Sequence, residues 1–436
     1  MNEQTKSRFY MNIFFCIIFS FAFFGCNSEV KFKRISDYYE KYFEDPETQN
    51  DFGGSGAPID WDLPENLLLF QDNYSDSSPN KGGTVARNSV ADPDTIMVFA
   101  DPNDNNKLKL LLTEWTNSRV LLFNKIPESN SALPDLVIGQ PNFTTAGVNS
   151  TGVNAASLNR INSATVCKTG ELILADRLNN RILIYKKIPK TDGASADYVI
   201  GQVDFSSNLS NQGLASPTAS TISSPQGVSC KDDKLYVADS GNNRILVFNE
   251  IPSSNNASAD LVFGQPDFVT NTFGCTQTGF RAPHSMSFYN NQMIVIDQTN
   301  NRILTYSTIP STNNPAATSV IGQDDFVTCG INKGAGSLTP SQGSLWNPQS
   351  ISINSSGLLA IADRKNNRVL FYDLPHTQGD EAIGLLGQPD YLTNTVAAPS
   401  STNFEQPIGL IFHGNKIWVV DQKRHRFLTL DLPNNL

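Results

Sequence analysis

Short runs of apolar residues alternate with clusters of Gly, Pro, Asn and Asp along most of the chain. The runs are four to six residues long and rich in β-branched and aromatic residues, as in LILAD, LYVAD and RILVF. Apolar runs of this length, bounded by turn-forming residues, are typical of β-strands. The pattern therefore predicts an all-β fold of many short strands joined by tight turns.

One longer motif recurs six times. Its copies include LILADRLNNRILIYKKIP at 172–189 and LYVADSGNNRILVFNEIP at 235–252. In every copy an acidic residue lies five positions before an arginine, and successive arginines are 58 to 66 residues apart. A pair present in every copy cannot be a single active site, so we interpret these residues as structural. The pairs are Glu114 and Arg119, Asp176 and Arg181, Asp239 and Arg244, Asp297 and Arg302, Asp363 and Arg368, and Asp421 and Arg426.

Two shorter motifs accompany this one. Gly-Gln strands such as LVFGQPDF (261–268) follow the first five copies, and Pro-led strands such as SPQGVSC (224–230) precede the later copies. Each unit therefore contains four strands, with an Asn-rich turn between the second and the third, where Asn tolerates a positive φ. Four antiparallel strands repeated around an axis form the blades of a β-propeller. The sequence predicts six blades of about 62 residues each.

The core of the repeat, as in ADRLNNRIL (175–183) and ADSGNNRIL (238–246), resembles the NHL repeat. This resemblance covers about residues 67–436 and implies a six-bladed β-propeller. The blades are longer than the minimal NHL unit, and the extra length follows the Gly-Gln strand.

Ring closure can also be predicted. The sixth copy has no Gly-Gln strand after it, which would leave an unpaired sheet edge. NLLLFQDNY at 66–74 aligns with DLVIGQPNF at 135–143, so that Leu67 matches Leu136 and Gln71 matches Gln140. We expect this N-terminal segment to complete the last blade.

The N-terminus has the features of a secretion signal. Lys6 and Arg8 precede the apolar stretch MNIFFCIIFSFAFFG, which is short for a membrane span and ends before Cys26. Gly25 followed by Cys26 resembles the lipobox of bacterial lipoproteins, although Phe24 departs from the usual small residue. We therefore predict a signal peptide at 1–25, a lipidated Cys26 with a flexible tether at 26–65, and the propeller at 66–436. The alternatives are an ordinary cleaved signal and an uncleaved anchor.

Charge and location limit the partners. The formal net charge is −10 and there is no basic block, which argues against nucleic-acid binding. We expect a monomer in the bacterial cell envelope, lipid-anchored in the outer membrane. The preferred function is a non-enzymatic binding platform for a protein or glycan partner, contacted through the long loops after residues 143, 205, 268 and 326. The alternatives are a metal-dependent lyase or lactonase-like hydrolase in the propeller channel, and a structural component of the envelope.

The Pro-led strands supply candidate channel residues. Gln226, His284 and Gln349 each follow the proline of such a strand, alignment adds Asn162, and Arg281 lies nearby. These side chains would line one region of the channel, where propellers commonly bind ligands. The alternative is a polar, water-filled channel with no ligand.

Metal sites are not predicted. The four histidines are His284, His376, His413 and His425, and only His284 falls on an inner strand, so a three-His site is not expected. We predict no cofactor, with calcium or zinc as the alternative. The acidic stretch ADPDTIMVFADPNDNN at 91–106 lacks the calcium-loop spacing, and we interpret it as a solvated, irregular part of the first blade.

Export permits disulfide bonds. Cys275 and Cys329 lie in the loops that follow two consecutive Gly-Gln strands, and we predict that they pair. Cys167 and Cys230 occupy equivalent positions on inner strands of adjacent blades. Because such strands should diverge, we predict that both are buried free thiols.

Overall fold

The apolar runs form 24 β-strands in six four-stranded antiparallel sheets among residues 67–414, 416–433 and 436, which are the residues that the computed structural model describes. These residues belong to the compact unit Asp45–Leu436. The predicted signal peptide, Cys26 and the tether at 26–65 are therefore outside the described residues.

The first three blades follow the chain from the innermost strand outward. Blade 1 comprises β2 (Pro93–Asp101), β3 (Lys107–Glu114), β4 (Arg119–Phe123) and β5 (Leu136–Ile138). Blade 2 comprises β6 (Ile161–Val166), β7 (Leu172–Asp176), β8 (Arg181–Tyr185) and β9 (Tyr198–Ile200). Blade 3 comprises β10 (Gly227–Lys231), β11 (Lys234–Asp239), β12 (Arg244–Phe248) and β13 (Leu261–Phe263).

The last three blades repeat this order, except that the outer strand of blade 6 comes from the N-terminal side. Blade 4 comprises β14 (Pro283–Tyr289), β15 (Gln292–Asp297), β16 (Arg302–Tyr306) and β17 (Ser319–Ile321). Blade 5 comprises β18 (Ile351–Ile353), β19 (Leu358–Asp363), β20 (Arg368–Asp373) and β21 (Gly384–Leu386). Blade 6 comprises β22 (Pro407–His413), β23 (Lys416–Asp421), β24 (Arg426–Asp431) and β1 (Leu68–Leu69).

The helical segments of the described chain are single 3₁₀ turns, and none has the length and apolarity needed to cross a membrane. They are Pro79–Gly82, Arg177–Asn179, Ser210–Gly213, Ser240–Asn242, Gln298–Asn300, Ile331–Gly334, Arg364–Asn366 and Gln422–Arg424.

The inner strands form a closed ring. β2, β6, β10, β14, β18 and β22 each contact the next in this order, and β22 contacts β2. The predicted fold class, an all-β six-bladed propeller, is therefore confirmed. Antiparallel order within each blade brings the hairpin turn between the second and third strands to the same end as the connection to the next blade. We call this end the turn face.

The ring is closed by the N-terminal strand that the sequence predicts. β1 pairs with β24 in the register Leu68 to Leu428 and Leu69 to Phe427. Gln71 donates from Nε2 to the backbone carbonyls of Arg424 (3.3 Å) and His425 (3.1 Å). In blade 1, Gln140 makes the same pair of bonds to the hairpin turn of its own blade. The segment at 67–74 therefore stands in blade 6 where a Gly-Gln strand stands in the others.

The hydrophobic core lies between the blades. Six clusters of buried apolar side chains occur in the described chain, and each joins two neighbouring blades. Between blades 6 and 1, for example, Trp418 and Val420 pack with Leu112 and Leu121. Apolar side chains are thus buried on both faces of each sheet, and their burial holds adjacent blades together.

The acid–arginine pair ties each hairpin to the connections around it. Arg244 is fully buried, and its Nε lies 2.8 Å from Oδ2 of Asp239. Its two Nη atoms donate to the carbonyls of Phe268, Thr218 and Thr221 at 2.6 to 2.9 Å. One guanidinium thus fixes the turn, the connection before the blade and the connection after it.

Two interpretations of the sequence were wrong. The acidic stretch at 91–106 is not irregular, because its first part forms β2, the buried inner strand of blade 1. Cys167 and Cys230 are buried as expected but are not free thiols, since they form a disulfide with a Cα–Cα distance of 5.3 Å. Inner strands lie nearest the axis, where neighbouring blades are close enough for this bond; the amide of Val228 in blade 3 lies 3.4 Å from Oγ of Ser163 in blade 2. The structure also places a disulfide between Cys275 and Cys329, joining two inter-blade connections.

Candidate functional site

The turn-face end of each inner strand presents one residue to the channel axis. In five blades it follows a proline, and in blade 2 it follows Ile161. Register breaks occur beside it in blades 1, 2, 4 and 6, and such irregularities redirect side chains. We call these six residues the inner ring: Asp94, Asn162, Gln226, His284, Gln349 and Ile408. Gln226 and Gln349 donate their backbone amides to Ala238 and Ala362 of their own blades.

His284 and Asn162 meet across the channel at this level. His284 Nε2 lies 3.2 Å from Nδ2 of Asn162, although the two residues belong to blades 4 and 2. Burial, with Arg177 and Arg364 nearby, lowers the pKa of His284 to about 3, so the imidazole is neutral. Its Nδ1 is buried without a hydrogen-bond partner among the described residues.

Asp94 is the inner-ring residue that the sequence analysis missed. Asp94 is only 5% exposed. Its carboxyl makes no hydrogen bond or ion pair with a described residue. Burial raises the pKa of Asp94 to about 7, against the lowering influence of Arg177 and Arg364. A buried carboxyl with a pKa near neutrality is a common mark of a functional site.

A second layer lies above the inner ring at the turn face. It consists of the residue that follows the repeat acid in each hairpin turn, and we call it the mouth: Trp115, Arg177, Ser240, Gln298, Arg364 and Gln422. Arg177 donates to Oδ1 of Asn162 at 3.1 Å, and its guanidinium lies 5.0 Å from the ring centre of Trp115. Arg364 donates to Gln422 at 3.0 Å and to Asn347 at 3.3 Å.

Arg281 does not join the other predicted channel residues. Its guanidinium lies 4.7 Å from the ring centre of Phe273, an exposed side chain of an inter-blade connection. Gln226 and Asn162 are buried at their inner-ring positions, and Gln349 lines the channel cavity together with His284. The structure thus places four of the five predicted residues at equivalent positions of the inner strands, together with Asp94, and brings Asn162 into contact with His284 and Arg177.

Beyond the inner ring the channel widens into a cavity of about 150 Å³. Hydroxyl groups of several inner strands line it, among them those of Thr165, Ser229, Ser287 and Ser352. No group of three or more His, Cys, Asp or Glu side chains in the described part of the chain is arranged to hold a metal ion.

Comparison with known proteins supports the repeat. The family model of the NHL repeat matches residues 223–248 and 345–371. No curated protein sequence matches the chain.

Solved structures similar to this one share low identity with it. A protein of unknown function from Bacteroides thetaiotaomicron is 13% identical, with a TM-score of 0.47, over 85% of this chain and 77% of that one. Virginiamycin B lyase from Staphylococcus aureus is 13% identical, with a TM-score of 0.42, over 85% of this chain and 99% of that one. A nidogen/laminin complex is 13% identical, with a TM-score of 0.43, over 74% and 89%. Similarity this low carries no information about activity.

Proposed function

We propose that this chain, a six-bladed β-propeller with NHL repeats, is a lipid-anchored protein of the bacterial cell envelope that binds a partner non-enzymatically on its turn face. The partner we infer is a protein, and the contact is made by the connections between blades. The anchor is the lipidated Cys26 that the sequence predicts.

The distribution of exposed apolar side chains carries this proposal. Ten of the fourteen large apolar residues that are exposed in the described chain lie on the inter-blade connections, which belong to the turn face. They are Val148, Val203, Leu209, Leu214, Val269, Phe273, Val327, Leu338, Leu392 and Val396. Apolar groups gathered on one side of a soluble domain are typical of protein-binding surfaces. Phe273 (65% exposed) and Leu338 (84% exposed) are the strongest candidates for buried contacts in a complex.

The connections are held rigidly, which favours binding without a large ordering cost. Arg302 donates to the carbonyls of Phe326, Thr276 and Gly279 and so fixes the connections on both sides of blade 4. The Cys275–Cys329 disulfide joins the same two connections covalently. Disulfides persist in oxidising compartments, which supports export of the chain.

The anchor is tested by labelling the full chain in a bacterial host with a palmitate analogue. We expect label on the wild type and none on Cys26→Ser, with Cys16→Ser as the control that keeps the label. Equal labelling of wild type and Cys26→Ser would exclude lipidation at Cys26.

Partner binding is tested with a photo-crosslinking amino acid placed in the full chain in the source cells. At Phe273 or Leu338 we expect one crosslinked protein of defined mass. Leu133, which is 45% exposed on the connection between the third and fourth strands of blade 1, reports on the opposite face and should give no such product. The binding surface is refuted if the product forms equally from Leu133, or if the product obtained with the probe at Val269, which is 56% exposed on the same connection as Phe273, survives the double substitution Phe273→Ser and Leu338→Ser.

A further inference from the structure

We propose that the mouth of the channel binds a small organic oxyanion, a carboxylate or a phosphate, between the guanidinium groups of Arg177 and Arg364. This site is separate from the partner surface proposed above and does not depend on it.

The two arginines reach the axis from opposite sides. Arg177 belongs to blade 2 and Arg364 to blade 5, which are three blades apart in a ring of six. Both occupy the same repeat position, directly after the buried repeat acid, so both extend from equivalent hairpin turns. Each of them acts electrostatically on both Asp94 and His284. Arg177 also bonds to the inner-ring residue Asn162, and Arg364 bonds to Gln422 of the mouth, so both guanidinium groups lie at the mouth of the channel.

Neutral oxygen atoms hold both guanidiniums and leave donors unused. Arg177 uses Nε on Ser224 and Nη1 on Asn162, each at 3.1 Å, and its Nη2 has no bond to a described residue. Arg364 uses both Nη atoms on the side-chain oxygens of Asn347 and Gln422, and its Nε is buried without a partner. Neither arginine makes an ion pair with a carboxylate in the described chain. Planar guanidinium donors match the oxygens of carboxylates and phosphates, so an oxyanion would supply the missing partner.

The floor of the site adds a group that responds to protonation. Asp94 and His284 are both more than nine-tenths buried, and the Asp94 carboxyl has no partner among the described residues. The charged groups that act on Asp94 are Arg177, Arg364 and Asp92, and Asp92 is paired with Lys423 at 2.8 Å. His284 is neutral. A protonated Asp94 can donate a hydrogen bond to the oxyanion, whereas an ionised Asp94 repels it, so binding should weaken as pH rises through about 7.

Trp115 provides a flat wall and an optical reporter. Its ring lies 5.0 Å from the Arg177 guanidinium and 5.4 Å from that of Arg160. A ligand that contacts Arg177 therefore changes the environment of this indole. The flat apolar ring beside the guanidinium also favours an organic anion with an apolar part.

The test is calorimetric titration of the full chain with succinate and, separately, with inorganic phosphate, at about pH 6, below the Asp94 pKa. We expect saturable binding of at least one probe to one site. Arg177→Gln and Arg364→Gln should each weaken it by about tenfold or more, which corresponds to the loss of one charge-assisted interaction. Arg281→Gln is the matched control, because Arg281 is an exposed arginine outside the channel, and it should bind within about twofold of the wild type. Tighter binding of succinate identifies a carboxylate site, and tighter binding of phosphate identifies a phosphate site.

No saturable binding of either probe to the wild type overturns the proposal. Wild-type affinity in both Arg177→Gln and Arg364→Gln overturns it equally. Circular dichroism checks the fold of each variant. Where a glutamine variant does not fold, Arg177→Lys or Arg364→Lys replaces it, since lysine keeps the charge and loses the planar fork. Asp94→Asn should bind at about pH 8 as tightly as the wild type binds at about pH 6; the same loss of affinity with pH in both proteins would overturn the role of Asp94.

Discussion

Arg244 and Asp239 face each other in register across the hairpin of blade 3, with 2.8 Å between Nε and Oδ2, and neither side chain is exposed to solvent. Five other blades repeat the arrangement, with Glu114 in place of aspartate in blade 1. Each arginine also satisfies backbone carbonyls of two connections, so these pairs hold the turn face together.

Arg244→Ala should lower the free energy of unfolding by about 3–5 kcal/mol, because it leaves the Asp239 carboxylate buried without its counter-charge. Urea denaturation measures the change. Arg281→Ala, at an exposed arginine, should stay within about 0.5 kcal/mol of the wild type. A loss below about 1 kcal/mol for Arg244→Ala would mean that the pair does not stabilise the turn face as argued.

Leu69→Ala should destabilise the protein by about 2–5 kcal/mol, since Leu69 is buried in the closing strand and packs between blades 6 and 1. Leu133→Ala, at a half-exposed leucine, is the control and should cost far less. Differential scanning calorimetry of both variants tests this, and equal transition temperatures would contradict a closing role for β1.

The stability of the wild type should fall relative to that of Asp94→Asn as pH rises from about 4 to about 7. The folded pKa of Asp94, about 7, lies above the unfolded value of 3.8, so the folded state binds the proton more tightly. This tighter binding stabilises the folded state below about pH 4, and the stabilisation is lost as pH rises to about 7. The full difference is on the order of 4 kcal/mol. Urea titrations of both proteins across this range measure it, and parallel pH profiles would show that Asp94 ionises freely.

Peptide mapping without reductant should recover Cys167 linked to Cys230 and Cys275 linked to Cys329. Substituting both members of either pair by serine should lower the free energy of unfolding by about 2–5 kcal/mol, because each bond closes a loop of more than 50 residues. Free thiols at all four positions in protein isolated under oxidising conditions would contradict both pairings.

The repeat made the fold predictable. Six copies of one strand–turn–strand motif define the blades, and the match of Gln71 to Gln140 reveals the closing strand, because a glutamine that binds its hairpin turn is needed in every blade. The first inner strand was missed because its acidic residues suggested solvent exposure. Pro93 was the available signal, since it aligns with Pro283 and Pro407. This alignment gives Asp94 the same position in the repeat as His284 and Ile408.

The mouth was missed for a different reason. Arg177 and Arg364 occupy the variable positions of the motif, within a turn that alternates between exposed and buried residues, and the sequence does not say which of them point to the axis. Only the ring geometry brings together residues from blades 2 and 5, which are separated by more than a hundred positions in the chain. Function in a repeat protein is concentrated at positions where the copies differ.

The closing strand also governs when the protein can exist as a ring. Gln71 and its acceptor Arg424 are separated by 353 residues in sequence, so synthesis of blade 6 must be nearly finished before the first strand has a partner. A contact between such distant segments forms slowly, and it forms late in folding. Until then β1 and the outer side of β24 are unpaired, and a product truncated before blade 6 keeps that apolar segment exposed. Exposure of residues 67–70 therefore marks a chain whose ring is not yet closed.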